Sequence, residues 1–327
     1  MSRPFAPRTR VSTYLSAWMP TGDSRVSVAG YFAGGSTVSA PTSQIDKIAF
    51  PSDTKTTLSA TLTYDVRYPA GLSNSGVAGY NGGGYSNGQA ANQSGIDKIA
   101  FPSDTKTTLS ATLTYAVQAL GSVSDSGVAG YFAGGTTGTA RDNIDKIAFP
   151  SDTKTTLAAT LTSTVSQVQG MANYGVAGYL GGGYSGAGSY LNRIDKLTFS
   201  AETKSTLAAT LSNTAYSQAG MADSGVAGYF GGGYTGSGEL NVIDKITFPA
   251  DTKTTLSATL SSQRGWVTGM ADSGVAGYFG GGGEAGGGTY LTAIDKITFP
   301  ADTKSTLSAT LTQGKYGMGG FADCGGF

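Results

Sequence analysis

Apolar and polar positions along this chain alternate in short blocks that are separated by turn residues. In one stretch, four blocks span 265–271, 275–279, 294–299 and 304–311, and they are rich in β-branched and aromatic residues. Gly, Pro and Asp stand between the blocks, and no stretch keeps the 3.6-residue apolar period of an amphipathic helix. The pattern therefore predicts four consecutive β-strands, which we label a, b, c and d.

This four-strand pattern recurs six times along the chain. The tripeptide Ile-Asp-Lys begins at Ile45, Ile96, Ile144, Ile194, Ile243 and Ile294. A second tripeptide, Ala-Gly-Tyr, places its tyrosine at Tyr31, Tyr80, Tyr131, Tyr179, Tyr229 and Tyr278. Two markers with one common period indicate six copies of a single structural unit of about 50 residues.

Six four-stranded units fit a β-propeller, whose blades number about four to eight. We therefore predict an all-β, six-bladed β-propeller; the competing β-helix usually has much shorter coils. Residues 315–323 lie one period after strand a of the sixth unit, so this C-terminal strand is predicted to close the ring by completing the first blade. Residues 14–19 compete for that position. Pairing of the tail with another copy would instead give a homo-oligomer by strand exchange.

The amino-acid sequence of the repeat resembles that of a known family. Gly-Tyr-Phe-Gly-Gly at 277–281, Ile-Asp-Lys-Ile-Thr-Phe at 294–299 and Asp-Thr-Lys at 302–304 resemble a kelch repeat, which implies kelch-like propeller blades. The pattern departs from kelch where leucine replaces the usual tryptophan, at Leu58, Leu109, Leu157, Leu207, Leu256 and Leu307. The Asp-Thr-Lys turn resembles, more weakly, the Asp-box of sialidase propellers. The repeat is also similar to repeats in structural proteins of marine bacteriophages.

The composition excludes several classes of chemistry. The 327 residues include 21 basic and 21 acidic side chains, no histidine and one cysteine. The lack of histidine excludes Ser-His-Asp and Cys-His catalysis and His-ligated metals. Kelch-like galactose oxidases hold copper partly through histidine, so their activity cannot be carried over. We therefore expect a protein that is not an enzyme and has no cofactor or metal. Zero net charge gives no reason to expect nucleic acid as a partner.

Charged residues recur at fixed places in the repeat. Asp46 and Lys47 of Ile-Asp-Lys point to opposite sides of their strand, so they cannot pair with each other. Exposed ion pairs contribute only about 0–1 kcal/mol, so our preferred interpretation is solvated strand-end residues, and pairing between neighbouring blades is the alternative. The acidic residues of the c–d turn are interpreted as acceptors for the backbone of that turn. They are Asp53, Asp104, Asp152, Glu202, Asp251 and Asp302.

Two glycine runs, 181–186 and 231–236, match the dinucleotide-binding pattern G-x-G-x-x-G. That interpretation requires a helix after the run, whereas the repeat predicts a strand. We interpret these glycines as allowing close backbone packing where the blades converge on the axis.

The two faces of the predicted disc differ in sequence variability. The a–b and c–d turns share one face and are nearly invariant, whereas the b–c loops and d–a crossings share the other and differ from copy to copy. Variable loops on a rigid scaffold often carry recognition, although duplicated loops also drift when nothing constrains them. The candidate binding residues on this face are Arg67, Tyr68, Arg141, Tyr184, Arg193, Tyr234, Arg264 and Trp266. Tyr184 and Tyr234 alternatively plug the ring near its axis.

These observations lead to one expected function. We expect a structural and recognition module of a phage-type virion, such as a tail, fibre or capsid-decorating protein, with other virion proteins and a host-surface glycan or receptor as partners. Alternatives are an intracellular kelch-type adaptor and, less favoured, a carbohydrate-active propeller enzyme. No secretory signal or membrane-spanning run is visible, so a location in the virion, or otherwise the cytoplasm, is expected. Residues 1–13 are predicted to form an N-terminal arm, and residues 14–327 form the propeller.

Overall fold

The computed structural model describes residues 29–284 and 288–323, and within them every regular element is a β-strand. Six four-stranded antiparallel sheets are arranged as the blades of a propeller, which confirms the fold predicted from the repeat. The predicted arm at 1–13 and the competing segment at 14–19 lie outside the described residues.

Each blade contains one copy of strands a to d. The innermost strands a of blades 1 to 6 span Gly319–Ala322, Ala70–Asn74, Gly121–Asp125, Gln169–Asn173, Ala219–Asp223 and Thr268–Asp272. Strands b follow at Ala29–Ala33, Ala78–Gly82, Ala129–Ala133, Ala177–Gly181, Ala227–Gly231 and Ala276–Gly280. Strands c are Ile45–Ala49, Ile96–Ala100, Ile144–Ala148, Ile194–Thr198, Ile243–Thr247 and Ile294–Thr298. The outer strands d are Thr54–Thr57, Thr105–Thr108, Thr153–Thr156, Thr203–Thr206, Thr252–Thr255 and Thr303–Thr306.

Four further short strands lie in the loops of blades 2 and 4. Tyr85–Ser86 pairs with Ala91–Asn92, and Val165–Ser166 pairs with Tyr184–Ser185. The elements that follow the glycine runs at 181–186 and 231–236 are the strands Ile194–Thr198 and Ile243–Thr247, and not helices, so the dinucleotide-binding interpretation is excluded.

The C-terminal strand closes the ring, as predicted. Gly319–Ala322 pairs antiparallel with strand b of blade 1, and Tyr31 lies opposite Phe321. The two rings are stacked with their centroids 5.2 Å apart, and Phe321 is fully buried. The first blade is therefore built from both ends of the described chain, which joins blade 6 to blade 2 through one continuous core.

Glycines of strand a allow the blades to meet at the axis. A Cβ atom on Gly220 would lie 2.0 Å from the carbonyl oxygen of Gly170, and one on Gly71 would lie 2.1 Å from that of Gly320. The glycine pairs that follow strand b have a different purpose, since Gly182 and Gly183 adopt positive φ angles of 66° and 102° and turn the chain into the b–c loop. The close packing at the axis thus depends on strand a, and not on the glycine runs that we had assigned to it.

Ion pairs link each blade to the next around the ring. Lys47 of blade 1 donates to Asp104 in the c–d turn of blade 2 at 2.7 Å, and the Tyr31 hydroxyl donates to the same carboxylate at 2.7 Å. The same arrangement is found at all six junctions, and the last one joins Lys296 of blade 6 to Asp53 of blade 1. The equivalent Lys–acid pairs are Lys98–Asp152, Lys146–Glu202, Lys196–Asp251 and Lys245–Asp302. The acidic residues therefore accept from the preceding blade, and our interpretation that they bond to their own turn is wrong.

The aspartate of Ile-Asp-Lys is buried between blades. Asp46 has no exposed surface and accepts hydrogen bonds from the hydroxyls of Thr57 at 2.9 Å and Thr312 at 2.6 Å. Thr312 belongs to the d–a crossing that enters from blade 6. The interpretation of these aspartates and lysines as solvated strand-end residues is therefore wrong. The alternative of pairing between blades is correct for the lysines, whose partners are the acids of the next c–d turn, whereas the aspartates bond to their own strand d and to the entering crossing.

The end of strand a makes a further contact between blades. The side-chain oxygens of Asn74 and Asp125 accept from the backbone N–H groups of Gly127 and Gly175 in the next blade. Asn173 and Asp223 make the same bond to Gly225 and Gly274. A neutral amide and a carboxylate thus occupy equivalent positions. Burial raises the pKa of Asp125 and of Asp223, and a hydrogen bond from the next blade opposes this rise only in part.

Replacement of these two carboxylates by amides should stabilise the protein at neutral pH. We expect Asp125→Asn with Asp223→Asn to raise the midpoint of thermal unfolding at pH 7. A carboxyl group with a raised pKa in the folded state costs stability above that pKa, and the cost disappears below the unfolded value of about 3.9. The gain should therefore shrink as the pH falls towards 4, which thermal scans at several pH values would show. The matched control, Asn74→Asp, should destabilise at pH 7; a stabilising Asn74→Asp would contradict this account.

Candidate binding face

The blades present two different faces, which we name the turn face and the loop face. On the turn face, the a–b and c–d turns lie together, and in blade 2 the N–H of Phe101 donates to the carbonyl of Val77. On the loop face, the d–a crossings pair with the b–c loops. Arg67 of the first crossing, for example, exchanges backbone hydrogen bonds with Tyr85 of the next b–c loop. The variable segments of the sequence are therefore gathered on the loop face.

Six residues of the d–a crossings form a closed circle around the axis, which we name the axial ring. Its members are Tyr68, Ala119, Gln167, Ser217, Trp266 and Gly317. Each backbone N–H donates to the carbonyl of the preceding member, at 2.5–3.2 Å, and the N–H of Tyr68 donates to Gly317. All six have positive φ angles of 55–58°. The left-handed conformation is unusual for residues other than glycine, and here every crossing adopts it at the same position.

The axial ring surrounds the mouth of a cavity on the propeller axis. This axial cavity encloses about 50 Å³, enough for a few water molecules, and opens into a wider mouth. It extends from the axial ring down to the strand a residues that meet at the axis, among them Gly71, Ser122 and Gly170. None of the residues that line it carries a charge. The cavity is therefore a neutral site with its opening on the loop face.

A continuous group of aromatic side chains surrounds one side of this mouth. It begins at Tyr68 and passes through Tyr316 to Trp266, with ring centroids 5.6 and 6.1 Å apart. From Trp266 it continues through Tyr234, at 6.0 Å, and Tyr216, also at 6.0 Å. We name this group the aromatic cluster; its members are Tyr68, Tyr184, Tyr190, Tyr216, Tyr234, Trp266, Tyr290 and Tyr316. Residues from four crossings and three loops are thus brought into one surface.

The phenols of Tyr68 and Tyr216 stay neutral at physiological pH. Burial, together with the neighbouring phenols, raises the pKa of Tyr216 to about 12. Burial and the adjacent Tyr316 also raise the pKa of Tyr68. Uncharged tyrosine and tryptophan side chains combine an apolar ring with a polar edge. The cluster can therefore stack on an apolar surface and also form hydrogen bonds.

The structure brings five of the eight predicted binding residues together. Tyr68, Tyr184, Tyr234 and Trp266 are members of the aromatic cluster, and the Arg67 guanidinium lies over the rings of Tyr68 and Tyr85, at 5.8 and 5.0 Å. Tyr184 and Tyr234 are not among the residues that line the axial cavity. Their placement supports their selection for the loop face and gives no support to a role as a plug.

The other three predicted residues lie apart from the cluster. Arg141 is on the loop face, where it lies over the ring of Tyr115 at 4.3 Å. Arg193 pairs with the largely buried carboxylate of Asp195 at 3.6 Å. Arg264 is fully buried and pairs with Asp295 at 2.7 Å, so its selection as an accessible binding residue is wrong. Four of the other five crossings carry an apolar residue at the equivalent position, and the fifth carries lysine: Val66, Val117, Val165, Ala215 and Lys315. This preference for apolar residues indicates a buried position, and it is visible when the repeats are aligned.

Several residues of this surface are not among the candidates that the sequence suggested. Tyr316 connects Tyr68 to Trp266, and Tyr290 contacts Tyr316 with ring centroids 4.4 Å apart. Gln167 and Ser217 occupy the axial ring opposite the aromatic side. Alignment of the six crossings on strand a places Tyr68, Gln167, Ser217 and Trp266 at one position. The sequence shows that these residues are equivalent, but it does not show that they form a closed circle.

Within 29–284 and 288–323, no group of three or more His, Cys, Asp or Glu side chains is placed to hold a metal ion. Over the same ranges, no helix is long and apolar enough to cross a membrane. A scan against models of known protein families finds no match, and a search of curated proteins finds none.

Proposed function

We propose that this protein is a non-enzymatic recognition module that binds its partner through the loop face. The observation that carries this proposal is the aromatic cluster, which gathers seven tyrosines and one tryptophan around the mouth of a neutral cavity. Aromatic side chains dominate the energy of many binding surfaces. The closed ring of six linked blades holds them in fixed positions, so binding requires little ordering of the protein.

The biological setting that we propose is a phage-type virion. The support is the similarity of the repeat sequence to repeats in structural proteins of marine bacteriophages, together with the resemblance of the blades to kelch repeats. In this setting the protein contacts a host surface or another virion protein, and the loop face supplies the contact. Immunogold electron microscopy of particles from cultures that produce the protein tests this setting. Label on the particles is the expected result, and label confined to cells would favour an intracellular adaptor.

Removal of the two aromatic members of the axial ring should abolish binding while the fold remains intact. We expect Tyr68→Ala with Trp266→Ala to weaken binding of labelled protein to host cells or particles by more than about tenfold. The reason is that truncation of a central aromatic residue costs about 2 kcal/mol or more, and 1.4 kcal/mol is tenfold in affinity. Flow cytometry with the labelled protein measures this, and circular dichroism checks the fold.

The matched control for this experiment lies on the turn face. Val128 is exposed there, and Val128→Ala should leave binding unchanged. If Val128→Ala abolishes binding while the loop-face variant binds normally, the proposed face is wrong. If both variants bind normally, the aromatic cluster is not the contact surface.

A further inference from the structure

The axial cavity combines two chemically different walls. Tyr68 and Trp266 form an aromatic wall, and Tyr316 packs against both rings. On the other side of the ring, the Ser217 hydroxyl donates to the side-chain oxygen of Gln167 at 2.8 Å. That bond uses the acceptor of the Gln167 amide and leaves its NH₂ donors and the Ser217 lone pairs for a ligand. A molecule in the cavity therefore meets aromatic rings on one side and amide and hydroxyl groups on the other.

The backbone around the mouth does not form an anion site. Anion sites of the nest type need successive N–H groups that point into a concavity. Here all six N–H groups of the axial ring are used in the circle of hydrogen bonds, and no cationic side chain lines the cavity. A phosphate, sulfate or carboxylate would thus lack a counter-charge. The ligand that fits is uncharged.

One unused donor belongs to the aromatic wall. The indole N–H of Trp266 is buried and has no hydrogen-bond partner among the described residues. Because this nitrogen has almost no accessible surface, a ligand at the mouth does not reach it. The hydrogen bonds that the cavity offers therefore come from the side of Gln167 and Ser217.

The geometry points to a neutral pyranose sugar bound at the mouth of the axial cavity. This inference rests on the proposed recognition function and names the class of ligand. A pyranose has one apolar face of C–H groups, which stacks on Tyr68 and Trp266, and hydroxyls at its edge, which reach Gln167 and Ser217. With one sugar at the mouth, the rest of a glycan chain extends over the aromatic cluster.

The protein carries its own reporter for this binding. It contains two tryptophans, Trp18 and Trp266, so Trp18→Phe leaves the cavity residue as the only one. In this background we expect methyl glycosides of glucose, galactose, mannose or N-acetylglucosamine to change the Trp266 emission saturably, with a Kd of about 1 mM, equivalent to about 4 kcal/mol. Glucuronate and inorganic phosphate should cause no change. If none of the four glycosides changes the emission, the inference is overturned.

Three variants separate the walls of the cavity from the rest of the loop face. Tyr68→Ala and Gln167→Leu should each weaken glycoside binding by about tenfold or more, because each removes one side of the contact. Tyr64→Ala, an exposed tyrosine of the same crossing that does not line the cavity, should bind like the parent. Thermal unfolding checks that the variants are folded. If the variants that fold all bind equally well, the sugar lies elsewhere.

The outcome also distinguishes this inference from the proposed function. Binding to cells or particles that depends on Tyr68 and Trp266 but is insensitive to free glycosides would retain the loop face as the recognition surface and refute the sugar. If a proline-rich peptide changes the Trp266 emission and no glycoside does, the cavity is a peptide site.

Discussion

Phe321→Ala is expected to lower the free energy of unfolding by about 3–5 kcal/mol, the usual cost of a large-to-small aromatic substitution in a core. Phe321 is fully buried, stacks on Tyr31, and lies 6.4 Å from the ring of Phe101 in blade 2. Gly79 of blade 2 also packs directly on its ring. The side chain therefore joins the first blade to the second at the point where the ring closes. Denaturant unfolding measures the change.

A control at an equivalent position separates ring closure from ordinary core packing. Met221 has the same place in blade 5 and packs on Gly277 of blade 6, so Met221→Ala should cost about 2–5 kcal/mol. Deletion of residues 315–327 should do more, because it removes the whole inner strand of blade 1, and we expect the single cooperative transition to be lost. If the truncated protein unfolds like the parent, another segment completes the first blade.

Loss of the aspartate from the buried Arg264–Asp295 ion pair should destabilise the protein more than loss of the arginine. We expect Asp295→Ala to lower the free energy of unfolding by about 3–5 kcal/mol. Arg264 and Asp295 are both fully buried, so removal of the carboxylate leaves a guanidinium without its counter-charge. Burial by itself would raise the pKa of Asp295, but hydrogen bonds from Ser261 and Thr306 and the charge of Arg264 together lower it. The pair is therefore ionised at neutral pH. Its contribution should be lost only as the pH falls below the ordinary range of aspartate.

Arg264→Val should be tolerated much better, with a change within about 1 kcal/mol. Replacement of a buried charge by a well-packed apolar residue is often neutral, and three other crossings carry valine at this position. In one of them Val66 is buried and Asp97 is satisfied by the N–H and hydroxyl of Thr63. Asp97→Ala is the matched control and should cost less than Asp295→Ala, since no buried cation remains. Equal costs for Arg264→Val and Asp295→Ala would contradict this account.

The fold could be predicted because the repeat period is a property of the sequence alone. The tripeptides Ile-Asp-Lys and Ala-Gly-Tyr recur with the same period and give the number of blades, and turn residues separate the four strands in each blade. The closing strand followed from the same period, since residues 315–323 align with strand a of the sixth unit. The bounds of strands b and c were predicted to within one residue, because Gly, Pro and Asp end strands for local steric reasons. Strand d, expected over 304–311, ends at Thr306, and strand a, expected from residue 265, begins at Thr268.

The functional side chains were harder to place. Strand geometry shows that Asp46 and Lys47 lie on opposite sides of their strand, but not which residue each one meets. Ring curvature brings Lys47 to Asp104, 57 residues away, and brings Thr312 to Asp46 across the closure. Arg264 was selected because arginine in a variable crossing suggests a surface. Its burial depends on the packing of two adjacent blades.

The sequence by itself determined the number of blades, the order of strands and the face on which variable residues gather, because each of these follows from repetition and local turn chemistry. It left residues 14–19 and 315–323 as two candidates for the closing strand. Only the tertiary structure decided what those residues build. The axial ring requires six crossings in the same left-handed conformation, five of the bonds joining residues about 50 positions apart and the sixth joining Gly317 to Tyr68 across the closure. The aromatic cluster requires crossings and loops from different blades to converge around one axis. Distances of this kind are set by closure of the ring, which no single repeat contains.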